Sequence, residues 1–302
     1  MNCKKNIFIS CTVVLIAFIT LSQNSNAQDF ELAGIKYAYY PKAAIKDVSE
    51  NREISFHEFN AFVNIPMKFK NQKTGLVHGF GYGFVEAAFN NSSPDEASKP
   101  KKNLHAFYYQ LRLVHKWNEK WSLLVALKPT IASDFEQKLS SEDLIFQGAV
   151  IATRTINNKL KIGAGVVYGA QWGSPRVLPV VSINYKNDRH SLNTLLPMDI
   201  KYTYSLFPEE KLKLGLRYTR NGANFNVSGS DMAEIDKINY SRANIGVLAN
   251  YKLTTILRIE AFGGISTGRK YRFVDFDNNE HDFDSKAAPF FSVGIVFVSP
   301  QI

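Results

Sequence analysis

The stretch from residue 199 to residue 220 reads DIKYTYSLFPEEKLKLGLRYTR, and it decides the fold. Its first part alternates aromatic or aliphatic side chains with polar ones. After the polar turn PEEK, the leucines from Leu212 to Leu216 alternate with Lys213 and Gly215. Apolar side chains at every second position are typical of a strand with one apolar and one polar face. The stretch therefore predicts an antiparallel hairpin.

The N-terminus has the order of a secretory signal. Two lysines precede an apolar run at 7–21, and a polar stretch with small residues ends at Ala27. This order predicts a cleavable signal peptide at 1–27, Sec-type export, and a single mature domain at 28–302. The alternative of an anchoring helix fits less well, because a run of about 15 residues is short for spanning a bilayer.

Both cysteines, Cys3 and Cys11, lie inside the predicted signal. A lipoprotein would need a cysteine at the end of the apolar run, whereas Cys11 lies near its beginning. The mature chain is therefore predicted to contain no disulfide, no thiolate metal site and no cysteine nucleophile.

Hairpins like the one at 199–220 recur along the exported chain, and no apolar run of about 18 residues follows the signal. A membrane protein without spanning helices is left with the closed barrel, which satisfies all backbone hydrogen bonds between strands. We predict an all-β fold, a transmembrane antiparallel up-and-down β-barrel of about 14 strands, with 12 as the alternative. The predicted strands are 32–41, 54–70, 74–89, 104–117, 120–133, 143–156, 159–172, 178–187, 189–196, 198–206, 211–227, 236–251, 254–274 and 287–298.

The strand count depends on Pro197. Proline cannot donate to a central ladder, so we place a tight outer turn there and count two short strands around it. With that turn, the inner connections are brief and polar. The outer ones include the long hydrophilic segments, among them 90–103 and 275–286, as expected for an outer-membrane barrel.

Aromatic residues near the strand ends predict two interfacial girdles. They are Tyr39, Tyr40, Trp117, Trp121, Trp172, Tyr185, Tyr204, Tyr218 and Tyr251. The C-terminal stretch PFFSVGIVFV alternates large apolar and small residues, which is typical of a closing strand that the barrel-assembly machinery recognises. The match is partial, because the chain continues through Ser299 to Ile302.

The segment RVLPVVSINYKNDRHSLNTLLPMDIKYTYSLFPEEKLKLGLRY also resembles a family of outer-membrane β-barrels of unknown function from Gram-negative bacteria. The shared order is Pro179, a polar turn at 184–188, Leu196-Pro197 and a strand containing Gly215. The resemblance covers most of the mature chain and implies a barrel in the outer membrane. It implies no catalytic residue and no ligand.

Several chemical sites can be considered and set aside. The glycines of HGFGYGF, residues 78–84, alternate with aromatics as in a strand, and no helix follows as a phosphate-binding loop requires. The six histidines lack metal-ligand spacing. His190 and Ser191 are adjacent on a strand, so they point to opposite faces and cannot hydrogen-bond to each other. The acidic run in 275–284 lacks the ordered spacing of a calcium loop, and we interpret it as a solvated loop.

The alternation places eight charged side chains on the inner face of the barrel. These lumen residues are Glu58, Arg112, Asp199, Lys201, Arg217, Arg242, Arg258 and Glu260. Buried charges of both signs must pair or be hydrated. Two interpretations stay open: an ion-paired interior that plugs or stiffens the barrel, and a basic pore that favours anionic solutes.

The sequence thus favours a non-enzymatic outer-membrane barrel, a passive channel or structural barrel with a mildly basic lumen. The alternatives are a membrane-embedded lipid hydrolase or acyltransferase, and a barrel whose loops mediate adhesion or docking. The expected partners are outer-membrane lipid, lipopolysaccharide and the barrel-assembly machinery. We predict no cofactor, no metal and no nucleic acid. The transported solute and the oligomeric state stay open.

Overall fold

The computed structural model describes residues 30–46, 52–90, 101–170, 172–207, 210–227 and 235–299. In these ranges the chain is almost entirely β-structure, and a short 3-10 turn lies at Ser141–Asp143. None of the helical residues described forms a segment long and apolar enough to cross a membrane. The predicted signal peptide at 1–27 lies outside the described residues.

The described residues form fifteen strands. They are β1 Glu31–Ala44, β2 Glu53–Lys68, β3 Thr74–Asn90, β4 Lys101–Lys116, β5 Trp121–Ser133, β6 Leu144–Thr155, β7 Leu160–Gly169, β8 Arg176–Lys186, β9 His190–Leu196, β10 Asp199–Ser205, β11 Leu212–Asn226, β12 Ile235–Lys252, β13 Leu257–Asp275, β14 Glu280–Ser285 and β15 Ala288–Val298.

These strands close into one antiparallel barrel. Each strand from β1 to β13 pairs with its neighbour in sequence, and β15 lies between β13 and β1. The short strand β14 pairs with the outer part of β13, while β15 pairs with its inner part. Together β14 and β15 make one interrupted strand, so the prediction of a 14-strand antiparallel barrel is confirmed.

The predicted outer segment 275–286 is therefore only partly a loop. Residues 280–285 continue the wall beyond β15, because they pair with Arg269–Val274. The interpretation of the acidic run as a solvated loop was wrong for this part. The alternation of Phe283 with acidic residues was a strand signal, but the density of charge concealed it.

The predicted turn at Pro197 is confirmed. The Met198 N–H donates to the Leu195 carbonyl at 2.7 Å, and β9 and β10 on either side have 7 residues each. Both are much shorter than β11, which has 15 residues. Residues 176–180 of β8 and 220–226 of β11 extend above this hairpin without a strand from it between them. The wall therefore has a notch on its outer side.

The outward face of the barrel is apolar. Leu216 is 63% exposed, and Val247, which faces it across the β11–β12 pair, is 59% exposed. Phe291 and Ile295 of the closing strand are also exposed, while Ser292 and Val296 turn away from them. A continuous apolar outer face on a closed sheet is the arrangement expected of a barrel in lipid.

The predicted girdles hold only in part. Trp117, Trp121 and Tyr251 are exposed at the inner turns, as an interfacial aromatic should be. Tyr40, in contrast, is 2% exposed and packs inside the barrel against Phe290. Trp172 packs inward onto the cluster containing Val180 and Met198. A period-two pattern at a strand end does not distinguish the two faces when both carry aromatics.

The outer half of the β11–β12 hairpin bends in across the mouth of the barrel, while its β12 side stays paired with β13 from Ile235↔Asp275 to Ser241↔Lys270. We call this part, residues 220–226 and 235–242, the flap. Asn226 pairs with Ser133 of β5, a strand that lies nearly opposite β11 in the 14-strand ring. The flap is also tied to the β5–β6 connection by the Asn226 amide, 3.3 Å from Asp143 Oδ1, and by the Lys237 ammonium, 2.9 Å from Glu142 Oε2.

Burial along the flap agrees with this position. Every residue from Ile238 to Ala243 is buried, whereas a wall strand alternates between an exposed and a covered face. Phe225, Ile238 and Tyr240 of the flap join an apolar cluster that fills the outer half of the interior. The other members come from the wall and include Tyr40, Ile54, Phe56, Val85, Phe89, Leu104, Tyr271 and Phe290. The outer end of the lumen is therefore packed.

The lipid-facing phase of β11 can be tested at Leu216. We expect Leu216→Arg to lower the free energy of unfolding by about 2–4 kcal/mol, because the new charge faces hydrocarbon. The measurement is equilibrium unfolding by guanidinium in lipid vesicles. Phe276→Arg is the matched control: Phe276 is 58% exposed but lies in the turn after β13. Equal losses in the two variants would contradict the assignment.

Candidate functional site

The central feature of the lumen is a cavity of about 670 Å³ beneath the apolar cluster. Its lining is mixed, with charged groups beside amides, hydroxyls and aromatic rings. The charged members are Lys36, Glu58, Lys128, Asp199, Arg217 and Arg220. Three of them, Glu58, Asp199 and Arg217, were predicted lumen residues.

Glu58 and Arg242 form a buried ion pair at the top of this cavity. The Glu58 carboxylate accepts hydrogen bonds from Arg242 Nη2 and from the Tyr240 hydroxyl, the latter at 2.9 Å. The Arg242 guanidinium lies 3.5 Å from the centre of the Tyr40 ring. Since Arg242 and Tyr240 belong to the flap, this pair anchors the flap to β2. An enclosed pair of this kind holds its elements together strongly, because neither charge can be hydrated if the other is removed.

Asp199 and Arg217 form a second pair on the wall opposite. Arg217 donates to Asp199 Oδ2 through Nε at 3.0 Å and Nη2 at 2.7 Å. The two residues are diagonal neighbours on adjacent strands, since the register pairs are Asp199↔Thr219 and Lys201↔Arg217. Both side chains are about one-third exposed to the cavity. The pairing orients charges along the lumen but contributes little to stability.

A vestibule of about 270 Å³ lies at the end of the barrel opposite the flap, near the short inner turns. Its charged lining residues are Glu31, Lys186, Lys201, Lys213 and Arg258. Arg258 is paired with Glu31 at 3.2 Å and with Glu260 at 3.3 Å. Lys36 bridges the same two carboxylates, each at 3.1 Å. Lys201 makes no ion pair within the described chain, so its charge is not neutralised by contact.

Arg112 stands apart from the other predicted lumen residues. Its Nη2 donates to Asn64 Oδ1 at 2.9 Å, and its guanidinium lies over the Phe30 ring. Gly79 makes this contact possible, since a Cβ there would lie 2.7 Å from Asn64 Oδ1. Seven of the eight predicted residues thus fall into three groups: the pair Glu58–Arg242, the pair Asp199–Arg217, and Lys201, Arg258 and Glu260 at the vestibule. Arg112 has an amide partner instead.

Sequence reasoning missed the two lysines that line the central cavity. Lys128 lies inside the run LLVALKP, and its Nζ sits 4.2 Å from the centre of the Tyr108 ring. Tyr108 in turn packs over Gly81, where a Cβ would lie 2.1 Å from the ring. The missing side chain at Gly81 thus provides the space that the Tyr108 ring occupies. Lys36 alternates with Ile35 and Tyr37, so the same phase rule could have found it.

The chemical sites considered from the sequence find no support within the described residues. No group of His, Cys, Asp and Glu there could hold a metal ion. The His190 ring contacts the Tyr202 hydroxyl at 2.8 Å, while Ser191 lies on the vestibule side. The two residues thus face different sides of the wall, as the sequence indicated.

The acidic residues after β13 are engaged within the rim. Arg272 binds Asp282 through two hydrogen bonds of 2.7 and 2.8 Å and also contacts Glu280. The hydrogen bonds from Arg272 hold the pKa of Asp282 below its ordinary value. Asp275 accepts from Asn279, and this contact likewise lowers the Asp275 pKa. These carboxylates brace the outer hairpin β13–β14.

The fold and the lumen define a closed 14-strand β-barrel of the outer-membrane type with an ion-paired interior. The family model described as "Domain of unknown function (DUF6268)" matches residues 23–298, and the chain belongs to this family. No curated protein matches the chain.

Solved structures of other barrels are similar to the chain at low sequence identity. The COG4313 outer membrane channel from Pseudomonas putida F1 is 13% identical, with 92% of this chain and 100% of that one covered and a TM-score of 0.40. The NanC porin is 9% identical, with coverage of 88% and 98% and a TM-score of 0.37. Outer membrane phospholipase A from Escherichia coli is 9% identical, with coverage of 90% and 98% and a TM-score of 0.33. At these TM-scores the similarities carry no conclusion about function.

The buried pair can be tested by removing its negative partner. Glu58→Gln leaves the Arg242 guanidinium enclosed without a carboxylate, so we expect a loss of about 3 kcal/mol in the free energy of unfolding. Asp199→Asn is the matched control at the more exposed pair and should cost about 0–1 kcal/mol. Guanidinium unfolding of the refolded protein measures both. A cost for Asp199→Asn as large as that for Glu58→Gln would contradict this ranking.

Proposed function

We propose that the protein is a passive channel for small solutes in the outer membrane, closed at its outer end by the flap. The observation that carries this proposal is the cavity of about 670 Å³ in the lumen. A barrel with a purely structural role can fill its interior with packed side chains. Here the interior beneath the flap keeps space, and polar and charged groups line it. Groups of this kind require water or a solute as their partner.

The charge of the lining supports a preference for anions. Four bases and two acids line the central cavity, and four bases and one acid line the vestibule. Ion pairs neutralise part of this surplus, as at Arg217 and Arg258. Lys128 and Lys201 have no ion pair within the described residues and leave a net positive potential. A pore lined by one sign of charge concentrates the opposite ion.

The cellular location belongs to the same proposal. The exposed apolar face of the wall supports insertion in the outer membrane, with lipid and lipopolysaccharide as the surroundings. Export by the signal at 1–27 and insertion by the barrel-assembly machinery complete this route. We assign no catalytic role, since the wall carries no Ser–His pair that faces one side at 190–191.

The flap explains how such a channel is closed at rest. Its contacts with the β5–β6 connection are few and polar: the Asn226 amide with Asp143, and Lys237 with Glu142. Lys237 and Glu142 are both partly exposed, so their attraction is screened by salt. Opening requires these contacts and the apolar packing of Phe225 and Ile238 to separate, and the outer pairing of β12 with β13 to bend or break.

The closure can be tested with a shortened flap. Replacing residues 225–238 by Asn-Gly joins Asn224 to Asn239, which already face each other, through a two-residue turn that suits a hairpin. In a planar bilayer we expect rare, small conductance steps from the natural protein and frequent, larger steps from the shortened one. The double variant Asn226→Ala/Lys237→Ala should raise the frequency of opening without changing step size. If none of the three proteins gives conductance steps, a structural or docking barrel is favoured and the proposal is overturned.

The sign of the net charge in the lumen can be tested on the shortened-flap protein. We expect its reversal potential in a KCl gradient to show chloride preference, because Lys128 and Lys201 are not neutralised. Adding Lys128→Glu and Lys201→Glu should shift the preference to potassium. Lys138→Glu, on an exposed outer loop, is the control with the same change of charge per site. An unchanged reversal potential after both lumen substitutions would show that these lysines do not face the conducting path.

A further inference from the structure

A second cavity, of about 310 Å³, opens at the outer rim and is separate from the closed mouth. Residues 172–174, just before β8, lie at the notch above the Pro197 turn, where Trp172 packs on Val180 and Met198. Residues 172–176 form one side of the cavity, and the outer parts of β12, β13 and β14 form the other. Arg220 and Tyr240 line this cavity and the lumen alike, so they form the partition between the two.

The charge of this rim cavity is unbalanced. Arg272 is neutralised by Asp282 and Glu280, and Lys270 faces Asp284 across the β13–β14 pair. Arg176 and Arg220 have no carboxylate within ion-pair distance in the described chain. Arg176 donates only to Ser174 Oγ at 2.8 Å, and Arg220 lies over the Trp172 ring at 4.7 Å. Two guanidinium charges are therefore left without an anionic partner.

The rim cavity is also lined by buried polar atoms that have no hydrogen-bond partner. Ser241 is 1% exposed, lines the cavity, and its hydroxyl has no hydrogen-bond partner. Arg220 Nε is likewise buried without an acceptor. Leaving such groups unsatisfied costs about 1–3 kcal/mol each, so buried polar groups of this kind are normally paired. An acceptor-rich ligand in the cavity would satisfy both.

We infer that the rim cavity binds a phosphomonoester group. Two guanidinium groups with parallel N–H donors match the oxygens of a phosphate, and a dianion offsets the two unpaired charges. A volume of about 310 Å³ is at the lower end of small-molecule sites, which suits a phosphorylated monosaccharide. The same chemistry is offered by a free sugar phosphate and by a phosphorylated sugar of an outer-leaflet lipid. The site faces the rim, so binding there does not depend on conduction through the lumen.

Calorimetric titration of the refolded full-length protein in detergent micelles tests this inference. The probes are glucose 6-phosphate, glucose as the neutral control, and diphosphoryl lipid A against its dephosphorylated form. We expect binding of a phosphorylated probe only, weakened about tenfold or more by either Arg220→Gln or Arg176→Gln. Lys138→Gln removes an outer-loop cation away from the cavity and should leave the affinity unchanged.

A steric variant separates loss of the site from loss of fold. Ser174→Trp fills the cavity while both arginines remain, and it should abolish binding with the circular dichroism of the barrel unchanged. Binding of glucose 6-phosphate would identify the source as a free solute, and binding of diphosphoryl lipid A alone would identify it as the membrane. Failure of both phosphorylated probes to bind, equal binding of glucose, or full affinity in the folded Arg220→Gln and Ser174→Trp variants would overturn the inference.

Discussion

Hydrogen bonding between β15 and β1 is the constraint on which the rest of the molecule depends. In a bilayer no water reaches the backbone, so each strand must find a neighbour on both sides, and only a closed ring provides this. The pairing from Glu31↔Val298 to Tyr39↔Phe291 supplies that closure. Once the ring is closed, period two fixes which side chains meet lipid and which meet the lumen. The flap bends inward only near the rim, where β12 keeps its pairing with β13 and Asn226 pairs with Ser133.

Inside the closed ring, charged side chains are stabilised by pairing with charges of opposite sign. Inward-facing residues come from strands far apart in sequence, such as Glu58 of β2 and Arg242 of β12. Their pairing links the two sides of the interior and holds the flap at the same time. The Asp199–Arg217 pair, between adjacent strands, does no such bridging. The two pairs therefore differ in structural role although they look alike in sequence, because only one of them ties the flap to a distant strand of the wall.

The barrel and its strand count could be predicted from the sequence because each depends on local signals. Alternation marks the strands, and Pro197 marks a turn by its missing N–H. The same phase rule places Arg217 and Arg258 inside. The flap could not be predicted, since its residues 220–226 still read as a strand and their contact with Ser133 joins β11 to a strand across the ring. For the same reason Tyr40 and Trp172 read as girdle residues. Whether such a residue stays in the wall or packs against the opposite wall depends on contacts between strands far apart in sequence. The alternation within one strand does not encode those contacts.

The short hairpin β9–β10 has a consequence for the membrane around the protein. Seven residues at roughly 3.4 Å each span about 24 Å along the strand, and a tilt of about 45° reduces the height to about 17 Å. The hydrocarbon layer is about 30 Å thick. Lipid beside this segment must therefore thin or tilt to meet the wall, while lipid beside the long strands β2 to β4 need not. This hydrophobic mismatch is confined to one sector of the perimeter. The bilayer is therefore thinner on one side of the barrel than on the others. Lipids and membrane proteins with short hydrophobic segments fit beside the thin sector, and those with longer segments fit beside the rest of the wall.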